Sequence, residues 1–379
     1  MQNPTHTKPR VALNDFARQW ASTEQTALAA FRRVGERGWF VLGPEVKAFE
    51  QALAAWWQMD FAVGCGNGMD AIEIGLRAAG IRPGDTVLTT PLSAFATSLA
   101  IARAQARPVF VDVDASGMLD LEAADAYFSK HPETKFLLPV HLYGHALSLG
   151  HLRALQQKHG LKVIEDCAQA IGAKSAGEPV GTVGIGAATS FYPTKNLGCL
   201  GDGGAFLTDD PEVAENVRRL RDYGQSGKYV HQEVGLNSRL DELQASLLLD
   251  CFLPKLTDLT ARRARTAKTY LAGIHHPNVR ILPVPERSES VWHLFPVCID
   301  GDRESFRKHL ADAGVETAIH YPATIPAQAA TEKICGKVEG SFPNAERLCA
   351  TEVSLPIHPY LKDDEIARVI TACNDWRPE

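Results

Sequence analysis

One lysine, Lys195, lies in an otherwise uncharged stretch of the sequence, SFYPTKNLGCLG (190–201). Small and apolar residues surround it, which is typical of a buried strand that ends in a tight turn. Burial disfavours the charged form of a lysine and so lowers its pKa. The neutral amine is a nucleophile that forms Schiff bases with carbonyl compounds. By itself the stretch also allows a lysine that reaches solvent from the turn.

Two other stretches carry polar groups at the ends of predicted elements. In VIEDCAQA (163–170), Asp166 ends an apolar run and Gln169 follows three residues later. In GNGMDAI (66–72), Gly68 and Met69 start a predicted helix, whose free N–H groups and dipole attract an anion. The simpler interpretations are a helix cap and a glycine-rich turn. The second stretch is not a dinucleotide fingerprint, because Met69 occupies the position of the last glycine.

In combination, these three features predict pyridoxal 5'-phosphate as a cofactor. It requires a cradle for its phosphate, a carboxylate beside its pyridine nitrogen and an amine that binds its aldehyde. A close ion pair at an effective dielectric constant of about 20 contributes up to about 4 kcal/mol, which is roughly three pK units. Asp166 would therefore keep the pyridine ring protonated at neutral pH. Lys195 and Asp166 are the predicted catalytic residues.

The sequence predicts no metal site. His141 and His145 are four residues apart in HLYGH, but Gly144 and the strand context keep them off one helical face. None of the eight cysteines forms the C-x-x-C pair that zinc ribbons and redox motifs use.

Short apolar runs alternate with amphipathic helical patterns between residue 60 and about residue 210. This alternation predicts an α/β fold, with a mostly parallel sheet and helices on both faces. The predicted strands cover residues 86–92, 107–114, 135–144, 161–167, 187–193 and 204–209. A glycine-rich link too short for a crossover helix joins the last two, which predicts that they are antiparallel.

The pattern changes after residue 238 and indicates a smaller α+β domain. A helix marked by Leu240, Leu243, Leu247 and Cys251 should end at Pro254, because proline does not extend a helix. Further predicted elements are a helix at 261–273, a strand at 291–300, a helix at 303–313 and a last helix after residue 362. We therefore predict a large cofactor-binding domain at 1–250, with a helical segment at its N-terminus, and a small domain at 251–379.

Composition excludes several classes of partner. The net charge of −6 offers no basic face to nucleic acid or to an anionic membrane. No window approaches 18 uninterrupted apolar residues, so we predict no membrane span. The N-terminus lacks the apolar run of a signal peptide, and the scattered cysteines are typical of a reducing compartment. The predicted location is the cytoplasm.

The chain resembles the DegT/DnrJ/EryC1/StrS group of fold-type-I, aspartate aminotransferase-like sugar aminotransferases. The resemblance covers most of the sequence, from ALNDFARQW (12–20) to FPNAERLCATEVSLPIHPYL (342–361). It implies a transfer of an amino group from L-glutamate to a nucleotide-linked keto sugar, with pyridoxamine 5'-phosphate as the intermediate form of the cofactor. The sequences of FYPTKNLG and of the segment 221–245 resemble those of family members that act at C-3 of the sugar more than those of members that act at C-4.

The resemblance also implies roles for individual residues. The helix start at Gly68 and Met69 would bind the cofactor phosphate, with Ser190 beside it. The implied contacts with the rest of the cofactor are Phe95, stacked on the ring, Asp166 at the pyridine nitrogen, Gln169 near the ring hydroxyl, and Lys195 as the anchor. The implied substrate contacts are Tyr192, Lys228, Arg239, His320 and Tyr321.

The segment KYVHQEVGLNSRLDE (228–242) implies a homodimer with shared active sites. In the resembling family this segment reaches the neighbouring subunit, where Asn237 would contact the partner's phosphate. Lys228, Asn237 and Arg239 have no evident partner near them in the sequence. Two of them are cations, which would offset the charge of a nucleotide diphosphate.

Two positions depart from the family pattern. Met69 stands where threonine is frequent, so a hydroxyl contact with the phosphate is lost, and Thr194 stands where close relatives often have glycine. Three alternatives remain: a 4-keto sugar aminotransferase, a regulatory protein that binds the cofactor without turnover, and an NAD-dependent epimerase, for which the fingerprint glycines are missing. Dehydratases of the family carry histidine in place of the lysine, which Lys195 argues against.

Overall fold

The computed structural model describes residues 10–338 and 340–378. The first nine residues, which the sequence places in the large domain, and residues 339 and 379 lie outside the described part. The central feature is a seven-stranded sheet. Its strands in chain order are β1 Phe61–Cys65, β2 Thr86–Thr89, β3 Arg107–Phe110, β4 Phe136–Leu137, β5 Lys162–Asp166, β6 Gly186–Ser190 and β7 Gly204–Thr208.

The order across the sheet is β1-β7-β6-β5-β4-β2-β3. Strand β7 is antiparallel to both of its neighbours, and the pairings from β6 to β3 are parallel. The predicted mostly parallel sheet is thus confirmed, as is the antiparallel pair on either side of the glycine-rich link. Strand β1 was not among the predicted strands.

Fourteen α-helices surround or extend this sheet in the described part of the chain. They are α1 Phe16–Ala21, α2 Glu24–Arg37, α3 Pro44–Trp57, α4 Gly68–Ala78, α5 Phe95–Arg103, α6 Leu121–Lys130, α7 Leu149–His159, α8 Pro211–Leu220, α9 Glu242–Leu247, α10 Leu256–Gly273, α11 Arg303–Asp312, α12 Ala329–Cys335, α13 Pro343–Thr351 and α14 Asp363–Asp375. Short turns of 3₁₀ helix cover Leu142–Gly144 and Leu253–Lys255, and a π-helical turn covers Leu248–Phe252. None of the described helices combines the length and the apolar composition needed to cross a membrane.

Neighbouring residues of one strand pack into different cores. On β2, Val87 joins the apolar side chains of α4, α5 and α8, whereas Leu88 joins those of α6 and α7. Because side chains alternate along a strand, this places helices on both faces of the sheet, as predicted. A third core lies between α3 and α9 and contacts β6 and β7 through Ala187 and Ala205.

A second sheet lies in the C-terminal part of the chain. Its three antiparallel strands, β8 Val279–Ile281, β9 Phe295–Ile299 and β10 Glu352–Leu355, occur in the order β8-β9-β10 and share a core with α10, α11 and α14. This confirms the smaller α+β part, while the boundary at residue 250 stays a prediction. The remaining strands are short and lie outside these sheets: Lys174–Ser175, Glu178–Pro179, Gln225–Gly227, Val230–His231 and Ser288–Glu289.

Several predicted strands and helices occur where they were expected but are shorter than predicted. The run at 187–193 ends as a strand at Ser190, because the chain turns at Pro193 and Thr194. The helix predicted from Leu240 begins at Glu242 and passes into the π-helical turn before Pro254. Of the four residues that marked this helix, Leu243 has an exposed side chain and the other three are buried.

Candidate active site

Lys195 lies in the turn that follows β6, at the carboxyl edge of the central sheet. Its N–H donates to the carbonyl oxygen of Tyr192 (2.8 Å), which closes the turn. The next residue, Asn196, donates from Nδ2 to the carbonyl oxygen of Val291 (2.9 Å) and ties the turn to the C-terminal part of the chain. Burial lowers the pKa of Lys195 to about 8, and the nearby Asp166 carboxylate opposes this shift only partly. The Lys195 side chain is partly buried, and its surroundings favour the neutral amine that the sequence predicted.

Asp166 is the last residue of β5, on the strand next to β6, and is buried. One carboxylate oxygen accepts from the N–H of Ala168 (3.0 Å), and the other accepts from the hydroxyl of Thr97 (3.1 Å). Burial raises the pKa of Asp166, while the Ala168 N–H, Lys195 and Thr97 favour the ionised form. A carboxylate offers about four lone-pair sites, so two contacts leave capacity for a donor from a ligand.

The start of α4 lies directly against the ends of β6 and β7. Asn67 caps the helix by accepting from the N–H of Asp70 (2.8 Å), and the N–H groups of Gly68 and Met69, in the first turn, have no intrahelical partner. A Cβ on Gly68 would lie 2.6 Å from the Cβ of Ser190. Glycine is thus required for Ser190 to come beside the helix start.

This arrangement fits a phosphate group. Backbone N–H donors, a helix N-terminus and a serine hydroxyl are the donor set that such anions take. Together with a carboxylate and a desolvated amine at the same edge, the residues present fit the groups of pyridoxal phosphate. Phe95 is half-buried and is the first residue of α5. Thr97, which bonds to Asp166, lies two residues later on the same helix. The Phe95 ring therefore lies at the same edge of the sheet.

Gln169 and Tyr321 connect the two parts of the chain. The side-chain oxygen of Gln169 accepts from the N–H of Tyr143 (2.7 Å), and its amide nitrogen donates to the hydroxyl of Tyr321 (3.1 Å). Tyr143 in turn donates from its hydroxyl to the carbonyl oxygen of His320 (2.8 Å). The predicted His–Tyr pair therefore lies at the same site as Asp166, whose charge helps burial to raise the pKa of Tyr321.

The predicted contacts from the segment 222–241 are not gathered around Lys195. Arg239 pairs with Asp222 (2.8 Å) and lies over the ring of Tyr223, so the expectation that it has no local partner was wrong. Asn237 and Lys228 are exposed, and Lys228 lies over the Tyr229 ring. Tyr192 is also about half exposed, at 52%.

Three buried residues beside β5 resemble a metal site but are already occupied by hydrogen bonds. His141, Glu165 and Cys167 bring their ligand atoms within 4.8 Å of one another. However, His141 bonds to Glu165 through Nε2 (2.7 Å) and accepts from the N–H of Leu147 through Nδ1. Both oxygens of Glu165 also accept from backbone N–H groups. The cluster is a buried polar network that fixes β5.

Sequence reasoning missed two buried basic residues close to Lys195. Burial, followed by the charges of Lys195, Arg263 and His320, lowers the pKa of His293 well below its ordinary value. Arg263 has no carboxylate partner in the described structure, and its Nη1 donates to carbonyl oxygens of Trp292, His293 and Ile357 at 3.3–3.5 Å. Burial lowers its pKa to about 10. The burial of Arg263, though not its place at the site, could have been predicted, since it lies four and seven residues before the buried Ala267 and Tyr270 on one helical face.

Comparisons with known proteins show which family the chain matches. The sequence profile of the DegT/DnrJ/EryC1/StrS aminotransferase family matches residues 21–374. A curated relative from Streptomyces venezuelae is named dTDP-3-amino-3,4,6-trideoxy-α-D-glucose transaminase. It is 41% identical over 373 residues, which are 97% of this chain and 96% of the relative.

Two solved structures are similar over most of their length. DesV of S. venezuelae, solved in complex with a ketimine intermediate, superposes with a TM-score of 0.93 at 40% identity, covering 97% of this chain and 99% of that one. NtdA of Bacillus subtilis, solved with bound cofactor PMP, has a TM-score of 0.88 at 27% identity, covering 98% and 86%.

We expect Lys195 to be the most reactive lysine amine of the cofactor-free protein near pH 8, because its pKa is lowered to about 8. Below that pH the ammonium form dominates and does not react, so labelling by trinitrobenzenesulfonate should rise to half its maximum near pH 8 and then level off. Peptide mass spectrometry at a series of pH values measures this, with the exposed Lys228 as an internal control. A half-maximum near pH 10 at Lys195 would contradict the desolvation.

Proposed function

The chain belongs to the DegT/DnrJ/EryC1/StrS aminotransferase family, and we propose that it moves an amino group from L-glutamate to C-3 of a nucleotide-linked deoxy keto sugar. The chain is an aminotransferase with pyridoxal phosphate as cofactor. The observation that carries the proposal is the desolvated Lys195 amine beside the buried Asp166 carboxylate and the anion-binding start of α4. The position C-3 is supported by the similarity to the S. venezuelae transaminase.

Each residue of the site has a distinct task in this proposal. When bound, pyridoxal phosphate supplies an electron-accepting ring that weakens the bond between hydrogen and the carbon bearing the amino group. Asp166 holds the proton of the ring nitrogen. Gly68, Met69 and Ser190 hold the phosphate, and Phe95 covers one side of the ring and excludes water. Lys195 then carries a proton at Nζ, a role that suits a pKa close to the working pH.

The donor and the location are parts of the same proposal. Glutamate would leave its nitrogen on the cofactor as pyridoxamine phosphate, and the sugar would take it up in the second half of the cycle. None of the eight cysteines forms a disulfide in the described structure. Unpaired cysteines of this kind favour the cytoplasm, where thiols stay reduced.

The proposed regiospecificity can be tested in reverse, starting from stable amino sugars. We expect dTDP-3-amino-3,4,6-trideoxy-α-D-glucose and 2-oxoglutarate to yield glutamate, measured by mass spectrometry. The corresponding 4-amino sugar should react with a kcat/KM lower by roughly tenfold to a hundredfold, since a misplaced polar group leaves the site's partners unpaired. UDP-linked amino sugars test the nucleotide. A preference for the 4-amino sugar would favour the 4-keto alternative.

Asp166→Asn should abolish most turnover while it leaves the phosphate contacts in place. The amide keeps the shape of the carboxylate, but it removes the negative charge that holds the ring proton. A loss of about three pK units of stabilisation, or roughly 4 kcal/mol, corresponds to about a thousandfold in kcat. Cofactor affinity, measured by absorbance titration, should fall much less. Near-normal turnover in this variant would refute the role of Asp166.

Exposed apolar side chains support the proposed homodimer. Trp39, Phe40 and Val41 precede α3, Leu243 lies on α9, and Leu200 follows the lysine turn by five residues; all five are exposed. Hydrogen bonds bring these segments together, since the N–H of Glu242 donates to the carbonyl oxygen of Phe40 and Gln244 bonds to Leu200 in both directions. A contiguous apolar patch beside an active site is typical of a protein–protein interface.

The segment 222–241 adjoins this patch, since Asp241 pairs with Val41, and it carries its own exposed apolar groups. Tyr229 and Val234 are more than four-fifths exposed, at 82% and 84%. The side chain of Asn237 is exposed, and its backbone pairs with that of Asp222. In a two-fold dimer each such segment would cover the partner's site, so that one type of contact completes both sites.

Complementation tests the shared site. Asn237→Asp places a negative charge against the phosphate of the partner, and Lys195→Ala removes the amine. Random subunit exchange puts about half the dimers in mixed form, each with one intact site, so roughly a quarter of wild-type activity should return. Mixing Lys195→Ala with Asp166→Asn is the matched control, because both residues lie in one chain's site. If the first mixture is as inactive as the control, the sites are not shared.

A further inference from the structure

A buried glutamate, Glu352, is hydrogen-bonded to the backbone of His320. Glu352 is the first residue of β10 and is fully buried. One of its carboxyl oxygens accepts from the N–H of His320 (2.6 Å), and the other bonds to the hydroxyl of Ser354. The same hydroxyl bonds to Nδ1 of the His320 ring (2.9 Å). Glu352, Ser354 and His320 thus form a closed hydrogen-bonded chain.

The backbone holds this chain in register. Ser354 and Ala318 exchange both backbone hydrogen bonds, at 2.8 and 3.2 Å, so the residues before His320 run alongside β10. On the opposite side of the ring, Nε2 of His320 forms no hydrogen bond within the part of the chain that the structure describes. The ring is only partly buried, and it is close enough to Lys195 for that charge to reduce its pKa further, after burial, to about 4. His320 is therefore neutral at physiological pH, with one hydrogen on one of two nitrogens.

The hydroxyl of Ser354 has a single hydrogen, which makes the chain directional. If Ser354 donates to Glu352, it must accept from Nδ1–H, and Nε2 is left as a bare acceptor. If Glu352 donates to Ser354, the hydroxyl donates to Nδ1, and Nε2 carries the hydrogen. We propose that Glu352 and Ser354 together select which nitrogen of His320 is protonated, and so whether the ring offers the keto sugar a hydrogen-bond donor or an acceptor.

The surroundings of Glu352 favour the donor form at neutral pH. Burial raises the pKa of Glu352 to about 8, against the opposing effects of Ser354, the His320 N–H and the charges of Arg303 and Arg307 on α11. The other titratable groups that face Glu352 are neutral Tyr143, Tyr321, Cys298 and Cys349, whose pKa values are raised mainly by burial. Below pH 8 the carboxyl keeps its proton, so Nε2–H faces the substrate; above pH 8 the chain reverses.

This inference rests on the proposed contact between His320 and the sugar, and it names Glu352 as a positioning residue. A donor at Nε2 matches a carbonyl or hydroxyl oxygen of the sugar. An acceptor at the same place would repel a carbonyl oxygen, because both would present lone pairs. Glutamate carries no keto sugar oxygen, so its half of the cycle should be indifferent to the direction of the chain.

The tautomer of His320 can be observed directly by ¹⁵N NMR of the holoenzyme labelled at histidine. Its resonances are assigned as those lost in His320→Gln. At about pH 6 the wild type should show Nε2–H in an excess of about tenfold or more, and at about pH 10 it should show Nδ1–H. In Glu352→Gln the amide donates to Ser354 at every pH, so Nε2–H should persist to alkaline pH. A wild-type tautomer that does not change with pH, or a Glu352→Gln protein that changes as the wild type does, overturns the proposal.

Two further variants complete the test. Ser354→Ala keeps the Glu352 carboxyl but removes its link to the His320 ring, and should leave a mixture of tautomers with no transition near pH 8; an unchanged single tautomer would also refute the proposal. Glu165→Gln is the matched control, since Glu165 is equally buried and bonds to His141 (2.7 Å). It should alter the His141 signals and leave those of His320 as in the wild type.

Kinetics separate this inference from the proposed function. For the half-reaction with dTDP-3-amino-3,4,6-trideoxy-α-D-glucose, a change from about pH 6 to about pH 10 should raise the KM of the wild type by about tenfold relative to that of Glu352→Gln, the effect expected for one lost hydrogen bond of about 1.4 kcal/mol. The half-reaction with L-glutamate should change less than twofold. Equal losses in both halves would contradict a specific role at the sugar. If no amino sugar reacts in the wild type, the proposed function fails, while the NMR result still decides the role of Glu352.

Discussion

The site depends on keeping one lysine amine out of water at the carboxyl edge of the central sheet. A shift of its pKa from 10.5 to about 8 means that the protein disfavours the ammonium form by about 3 kcal/mol. The turn that achieves this is held on two sides, by β6 and by the bond from Asn196 to Val291. The C-terminal part of the chain therefore shields an amine that the central sheet presents.

Asp166 is also desolvated, and in its case burial disfavours a negative charge. Burial alone would protonate it, and the N–H of Ala168, the Lys195 charge and the hydroxyl of Thr97 act against this. Arg263, close to the lysine turn, brings positive charge without a carboxylate partner in the described structure, and after burial its charge is one of those that keep His293 neutral. Arg263 and the N–H groups at the start of α4 suit an anionic ligand, although the chain is acidic overall.

The sequence was most informative where function depends on local pattern. Lys195 and Asp166 could be predicted because an isolated polar residue at the end of an apolar run is unusual, and Gly68 because a helix start needs a particular backbone. Strand β1 was missed, since FAVGC has neither alternation nor β-branched residues beyond Val63. His293, Arg263 and Glu352 could not be placed at the site from spacing, because they lie 68 to 157 residues from Lys195 and reach it only through the packing of the second sheet. The ion pair between Arg239 and Asp222 could not be predicted either, because it depends on how the segment folds back.

The residues that a local sequence pattern predicts and the residues that it misses have different roles in the site. The groups that fit the cofactor come from one continuous part of the chain, residues 67–195, and their positions follow from the order of strands and from glycines that allow close approach. His320 and the two residues that we propose position it, Glu352 and Ser354, come from residues after 290, where hydrogen-bond direction rather than charge distinguishes one oxygen from another. A hydrogen-bonded chain such as that of Glu352 and Ser354 changes what a site recognises while the reacting atoms stay where they are. Because a reversal there leaves the Lys195 and Asp166 contacts intact, sugar specificity can vary in this fold without loss of the shared chemistry.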